Sequence, residues 1–108
     1  MFKIKKHITI YQLPKEKYED FLKNRFNTDY KINTKDYIKV YEYDKNITKG
    51  IEYEVNYIAD LVFEDCNIGE AINNKNYNGR SLSSGDIIKI DDIYLLCESF
   101  GWTKIDFK

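Results

Sequence analysis

The sequence has few of the residues that build metal centres or disulfide frameworks. It contains two cysteines, Cys66 and Cys97, and a single histidine, His7, and the spacing of the cysteines matches no metal-binding pair. A zinc site would therefore need at least one carboxylate as a further ligand. We expect the cysteines to be small buried hydrophobic side chains in a reducing compartment, with no metal or cofactor, although the sequence leaves a disulfide between them open.

Long apolar runs are also absent. No segment approaches the length of about 20 apolar residues that spans a membrane. The first residues, MFKIKKHITIYQL, have the lysines of a signal peptide, but apolar and polar residues alternate where a signal peptide has a continuous apolar region. We therefore expect a cytoplasmic protein that does not insert into a membrane.

What the chain does contain is the balance of a globular protein, with 43% hydrophobic and 32% charged residues among 108. That length predicts one domain, residues 1–108, with one core. The net charge of −1 conceals an asymmetry, since residues 1–50 carry twelve Lys or Arg and seven Asp or Glu, whereas residues 51–108 carry five and eleven. The two halves either form two binding faces or attract each other across the fold. The overall balance disfavours strong nonspecific binding of nucleic acid.

Two segments alternate apolar and polar residues with the period of a strand. In FKIKKHITI the outer face is basic and carries Lys3, Lys5 and His7. The run from Tyr37 to Tyr43 is rich in strand-forming residues, and its tyrosines are either half-buried cross-strand residues or stacking groups for nucleic-acid bases. The alternation in this run places Tyr37, Lys39, Tyr41 and Tyr43 on one face and Ile38 and Val40 on the other.

Two other segments space their apolar residues as a helix does. The first, LPKEKYEDFLKNRF, includes Pro14, which suits the first position of a helix. We expect both apolar stripes to face the core. The first stripe consists of Tyr18, Phe21, Leu22 and Phe26. The second, in EVNYIADLVFEDC, consists of Val55, Ile58, Ala59, Val62 and Cys66, widened by Leu61 and Phe63.

The stretch GRSLSSGDIIKI, residues 79–90, combines two glycines with three serines, which resembles a phosphate-binding loop. Such a loop is followed by a helix whose N-terminus faces the anion, but here a β-branched strand follows, and the lysine and hydroxyl that end the motif are missing. We therefore expect a turn at Ser83, Ser84 and Gly85, with Asp86 accepting backbone N–H bonds. The serines have only His7 as a possible imidazole base and lack a nucleophile elbow, so we expect no enzymatic activity.

Three short strands are predicted to complete the chain. The segments IIKI and IYLLC are joined through Asp91 and Asp92, a two-residue connection typical of hairpins, and FGWTKIDF adds a third strand. We expect Trp102 to cover one end of the core. The sequence therefore predicts an α+β fold of two helices packed on an antiparallel β-sheet, with a C-terminal β-meander.

The C-terminal segment YNGRSLSSGDIIKIDDIYLLCESFGW resembles the signature of the YodL-like family, small domains of bacteria, phages and other mobile elements that also occur in polyvalent proteins. Upstream, IYQLP, DYIKVYE and IADLVFEDCNI are similar to the family's earlier elements, so the resemblance covers most of the chain. Three features depart from the family pattern: Gly85 stands where serine is frequent, Cys66 stands where an aromatic residue often precedes the asparagine, and GEAINNK is an insertion before the signature. The residues that match the signature are Gly79, Arg80, Ser81, Leu82, Ser83, Asp86, Ile87 and Ile88, also Gly85 as an accepted variant, and then Tyr94, Ser99, Phe100, Gly101 and Trp102.

The resemblance implies a noncatalytic protein-binding modulator from a phage or mobile element, which inhibits a host bacterial protein of a defence system or of the cell-shape cytoskeleton. We predict partner contacts at Arg80, Asp86, Tyr94 and Trp102, and we expect Arg80→Ala to weaken partner capture without lowering the melting temperature. Each of these residues also has a structural alternative: Asp86 holding the turn, for example, or Trp102 filling the core.

Nucleic-acid binding is the alternative hypothesis. It rests on the basic face of the first strand and on the tyrosines of the second as stacking groups. The residues concerned are Lys3, Lys5, His7, Tyr37, Tyr41 and Tyr43. This hypothesis predicts binding to DNA or RNA that weakens as salt rises.

Overall fold

A five-stranded antiparallel sheet with two α-helices makes up the fold in the computed structural model, which describes residues 2–24, 26–29 and 31–107. The strands are β1 (Lys3–Gln12), β2 (Ile38–Thr48), β3 (Ile87–Ile90), β4 (Ile93–Glu98) and β5 (Gly101–Ile105). The helices are α1 (Lys15–Asn24) and α2 (Val55–Asn67), and a short 3-10 helix, Thr34–Asp36, precedes β2. The strand order is β2-β1-β3-β4-β5, which confirms the predicted α+β fold with its C-terminal meander.

The residues of β1 alternate between two apolar layers. Ile8 and Ile10 are fully buried and pack on one face of the sheet, in the same cluster as Val62 of α2. Tyr11 lies on the opposite face, where a smaller cluster contains Ile87 and Phe21 of α1. Because successive side chains of a strand point to opposite faces, the two helices cover opposite sides of the sheet.

Helix α2 buries the stripe that its sequence predicts, whereas α1 buries only part of its own. In α2 the fully buried side chains are those of Ile58, Ala59, Val62 and Cys66. In α1 only Phe21 is buried, while Leu22 is 36% exposed and Phe26 is 82% exposed. The predicted core position is therefore wrong for Leu22 and Phe26. The helix ends at Asn24, so Phe26 lies beyond the helical stripe.

A β-bulge in β2 interrupts the alternation of its side chains between the two faces of the sheet. Ile10 pairs with Tyr41, but Tyr11 pairs with Lys39, which leaves Val40 as the extra residue. Tyr41 and Val40 both contact the core that contains α2, whereas the Lys39 side chain reaches Glu42 on the outer face. The prediction that Lys39 shares a face with Tyr41 and Tyr43 is therefore wrong, because the bulge shifts the alternation by one residue.

Two tight turns connect the C-terminal strands. Ile90 pairs with Ile93, so Asp91 and Asp92 form the predicted two-residue connection. Asp91 has a φ of 50°, the left-handed conformation that such turns require. The second turn consists of Ser99 and Phe100.

The cysteines behave as predicted. Cys66 and Cys97 are both buried and free, and burial raises the pKa of each thiol to about 12. They act as small hydrophobic core residues.

Among the helices of the described residues, none has the length and apolar content needed to cross a membrane.

Candidate functional site

The loop before β3 is held together by hydrogen bonds to the side chain of its own Asp86. The side chain of Asp86 is fully buried, and its Oδ2 accepts hydrogen bonds from the Ser83 backbone N–H at 3.0 Å and from Gln12 Nε2 at 3.1 Å. Its Oδ1 accepts a third from Arg80 Nη2 at 2.8 Å. The prediction that Asp86 accepts a backbone N–H bond at this turn is confirmed. The Ser83 N–H that a phosphate would need is already engaged.

Arg80 is fixed by the same network. Its Nη1 donates to the carbonyl oxygen of Leu13 at 3.2 Å, and its guanidinium lies 4.0 Å from the centre of the Tyr18 ring. Its backbone N–H donates to Gln12 Oε1 at 3.0 Å. Burial raises the pKa of Asp86 to about 6, against the opposing effects of Arg80, the Ser83 N–H and Gln12. The ion pair with Arg80, at 2.8 Å, favours the ionised form of the carboxyl group.

Gly85 brings the loop into close contact with α1. Its φ of +95° is a conformation that other residues rarely adopt, and a Cβ there would lie 2.7 Å from the ring of Phe21. Its carbonyl oxygen accepts a hydrogen bond of 2.5 Å from the Tyr37 hydroxyl. The loop from Arg80 to Asp86 thus joins β1, α1 and the segment before β2, which gives it a structural role.

The other two predicted contact residues lie on opposite faces of the sheet. Tyr94 stacks on Phe107 with 4.7 Å between ring centres, and Lys89 Nζ lies 5.5 Å from the Tyr94 ring. Trp102 packs edge to face against Phe63 of α2 and donates its indole N–H to Asp60 at 2.9 Å. The four predicted residues therefore do not form one surface. Arg80 and Asp86 contact each other, while Tyr94 and Trp102 are separate from them and from one another.

The turn between β4 and β5 presents an aromatic side chain to solvent. Phe100 is 100% exposed, at a two-residue turn whose flanking residues Glu98 and Gly101 are paired. On one side of it lies a cleft of about 280 Å³, whose apolar lining includes Phe26 and Leu96. On the other face of the hairpin lies a cleft of about 190 Å³, whose lining includes Trp102. We call Glu98–Gly101 the hairpin tip.

Sequence reasoning missed the hairpin tip as a surface. Ser99, Phe100, Gly101 and Trp102 were matched to a family signature, but only Trp102 was predicted to contact a partner. The available signal was the turn itself. The side chains of a two-residue turn project from the end of the hairpin, so Phe100 of ESFGW is placed to point to solvent.

The residues of the nucleic-acid hypothesis are divided between the faces of the sheet. Lys3, Lys5 and His7 lie on the outer face of β1, whereas Tyr41 and Tyr43 pack against the core on the other face. Tyr37 is buried in the second cluster. The structure therefore does not bring the basic residues and the tyrosines together as one stacking surface.

His7 also lies between two carboxylates. Its Nδ1 is 2.8 Å from Asp44 Oδ1, and its Nε2 is 3.0 Å from Glu42 Oε2. The hydrogen bonds with Asp44 and then with Glu42 raise the pKa of His7 above its usual value. A phosphate approaching this part of the face would meet both carboxylates, which favours ion pairing within the sheet over binding of nucleic acid.

Within the part of the chain that the structure describes, no three His, Cys, Asp or Glu side chains are grouped so that they could hold a metal ion.

Comparisons of the chain with protein-family models, with curated proteins and with solved structures yield no match. The resemblance to YodL-like domains therefore stays a prediction.

Proposed function

We propose that this domain is a noncatalytic protein-binding modulator, encoded by a phage or other mobile element, that binds and inhibits a host bacterial protein in the cytoplasm. The resemblance of residues 76–102 to the YodL-like signature supports this class of function. It also suggests the kind of target, a component of a defence system or of the cell-shape cytoskeleton.

The observation that carries the proposal is the exposed aromatic side chain of the hairpin tip. Phe100 is entirely in solvent, and Phe26, which lines the neighbouring cleft, is 82% exposed. Aromatic residues are enriched at protein interfaces, and neighbouring exposed apolar groups mark interaction sites. Binding of a protein at the tip would remove both rings from water.

The predicted contact residues take two roles in this proposal. Trp102 follows the hairpin tip and lines one of its clefts, so it remains a contact residue. Asp86 is fully buried and can serve a partner only by fixing the loop and the side chain of Arg80. Tyr94 belongs to the aromatic cluster on the far side from α2 and is a second, separate candidate.

The test is capture of a partner by the tagged domain from the lysate of a low-GC bacterium, with and without nuclease, read by mass spectrometry. The proposal predicts a stoichiometric protein that is retained after nuclease treatment. Adding the purified partner to its own activity assay, with and without the domain, then tests inhibition. Capture that nuclease abolishes, or no stoichiometric protein, would contradict the proposal.

A further inference from the structure

We infer that the hairpin tip binds a cationic, apolar segment of the partner protein, in which Leu or aromatic side chains pack around Phe100 and Lys or Arg side chains pair with Glu98 and Asp60. This inference rests on the proposed protein-binding function and specifies the chemistry of the partner. Three properties of the tip support it: its shape, its charge and the hydrogen bonds that hold its flanking strands.

The shape of the tip fits side chains of another protein. Two open clefts, of about 280 and 190 Å³, lie on the two faces of the hairpin, and Phe100 lines the larger of them. Pockets for small organic ligands commonly enclose about 300 to 1,000 Å³ and bury most of the ligand. The clefts at the tip are smaller and open, so each has room for one or two side chains. A partner segment that spans the tip can fill both.

The charge of the tip selects a cationic segment. The only charged side chains that line the two clefts, among the residues described, are those of Glu98, which is common to both, and Asp60. Both residues are exposed, and no lysine or arginine lines either cleft in this part of the structure. Residues 51–108, which include the tip, carry eleven Asp or Glu and five Lys or Arg. Lysine or arginine in the partner would therefore meet complementary charge.

Hydrogen bonds hold the strands on both sides of the tip before a partner arrives. Cys97 pairs with Trp102 and Glu98 with Gly101, and the Thr103 hydroxyl donates to the Glu98 carboxylate. The indole N–H of Trp102 donates to Asp60, which attaches the hairpin to α2. Rigid contact groups lose less conformational entropy on binding. Glu98 lines the cleft that Phe100 lines and also the cleft that Asp60 lines, so carboxylates are available beside the aromatic anchor, as in an interface hot spot with a polar rim.

The test uses a library of random 12-residue peptides displayed on phage, selected on the immobilised wild-type domain and counter-selected on Phe100→Ser. We expect enriched peptides to place Lys or Arg next to Leu, Phe or Trp. A synthetic peptide from the selection should bind Phe100→Ser at least about tenfold more weakly than wild type, the usual loss at a hot spot. Glu98→Gln should weaken binding about two- to threefold, as removal of an exposed charge pair does, and raised salt should reduce that difference.

Two exposed residues provide matched controls. Phe2 is 80% exposed and lies outside both clefts, and Glu70 is exposed and lies outside them as well. Phe2→Ser and Glu70→Gln should bind the peptide as wild type does, and all four variants should unfold at the wild-type urea concentration.

The inference is overturned if enriched peptides lack basic residues, if no peptide is enriched, or if Phe100→Ser binds as well as wild type. Capture of the lysate protein by Phe100→Ser at the wild-type level also overturns it but leaves the proposed function standing. Failure of the wild-type domain to capture any protein is the separate result that contradicts the proposed function.

Discussion

The loop from Arg80 to Asp86 and the hairpin tip both lie within residues 80–101, but they differ in which side chains they bury and which they expose. In the loop, the charged Asp86 is fully buried and its oxygens accept three hydrogen bonds. At the tip, the apolar Phe100 is fully exposed. A buried charge and an exposed aromatic side chain are the two departures from ordinary burial that carry information. Here the buried charge marks the loop that stabilises the fold, and the exposed aromatic side chain marks the proposed binding surface.

Chemical character alone therefore does not identify a contact residue. Arg80 and Asp86 have the charge that suggests recognition, yet they pair with each other at 2.8 Å, and the Asp86 carboxylate is fully buried. Phe100 has the character of a core residue but lies where the chain turns. Substitutions in the loop should therefore change stability, and substitutions at the tip should change binding.

The largest effect on stability is expected for Asp86→Ala. The change leaves Arg80, Gln12 and the Ser83 N–H without their shared acceptor, and we expect the free energy of unfolding to fall by about 3 kcal/mol. Urea denaturation measures this directly. Asp92→Ala, at an exposed aspartate of the β3–β4 turn, is the control and should unfold as wild type does. The same free energy of unfolding for the two variants would contradict the structural role of Asp86.

The next effect is expected for Gly85→Ala. The added methyl group both strains the backbone, where φ is +95°, and lies 2.7 Å from Phe21, so we expect a loss of about 2 kcal/mol in the free energy of unfolding. Gly50→Ala separates these causes, because Gly50 has a φ of +106° with no atom within 4 Å of the added Cβ. It should lose only about 1 kcal/mol. A smaller loss for Gly85→Ala than for Gly50→Ala would contradict the close packing against Phe21.

Arg80→Ala should have a smaller effect on stability. It removes one donor from Asp86, whose carboxyl can then protonate, and we expect the free energy of unfolding to fall by about 1 to 2 kcal/mol. The structure thus predicts a lower melting temperature, where the sequence alone suggested none. Arg80→Lys, which keeps the charge but not the planar fork, should be intermediate. An unchanged melting temperature with weakened partner capture would make Arg80 a contact residue instead.

The smallest effect is expected at His7, on the exposed face of β1. Because its folded-state pKa lies above 6.5, its ion pairs contribute stability that is present below pH 6.5 and lost as pH rises through the folded-state pKa. A titration of the imidazole by NMR should give a pKa above that of a model histidine, and Asp44→Asn should lower it. A wild-type pKa at or below 6.5 would show that the pairs do not form in solution.

Periodicity was enough to predict most of the fold, and local packing explains where it failed. Alternation predicted β1, and helical spacing predicted the buried face of α2, because both elements follow their regular period. The bulge at Val40 and the end of α1 before Phe26 interrupt the period, and neither has a distinctive sequence signal. The turn at Asp86 was predicted from its residue types, but its pairing with Arg80 depends on how the loop folds back.

Recognition by the hairpin tip is tested most sharply by comparing Phe100→Ser with Phe2→Ser in a quantitative capture of the partner identified from lysate, beside urea unfolding of both variants. We expect both variants to unfold as wild type does, within about 0.5 kcal/mol, as exposed substitutions usually do. Phe100→Ser should lose at least about nine-tenths of the captured partner, as expected for a hot-spot residue, while Phe2→Ser should retain it. Equal capture by the two variants would contradict the assignment of recognition to the hairpin tip.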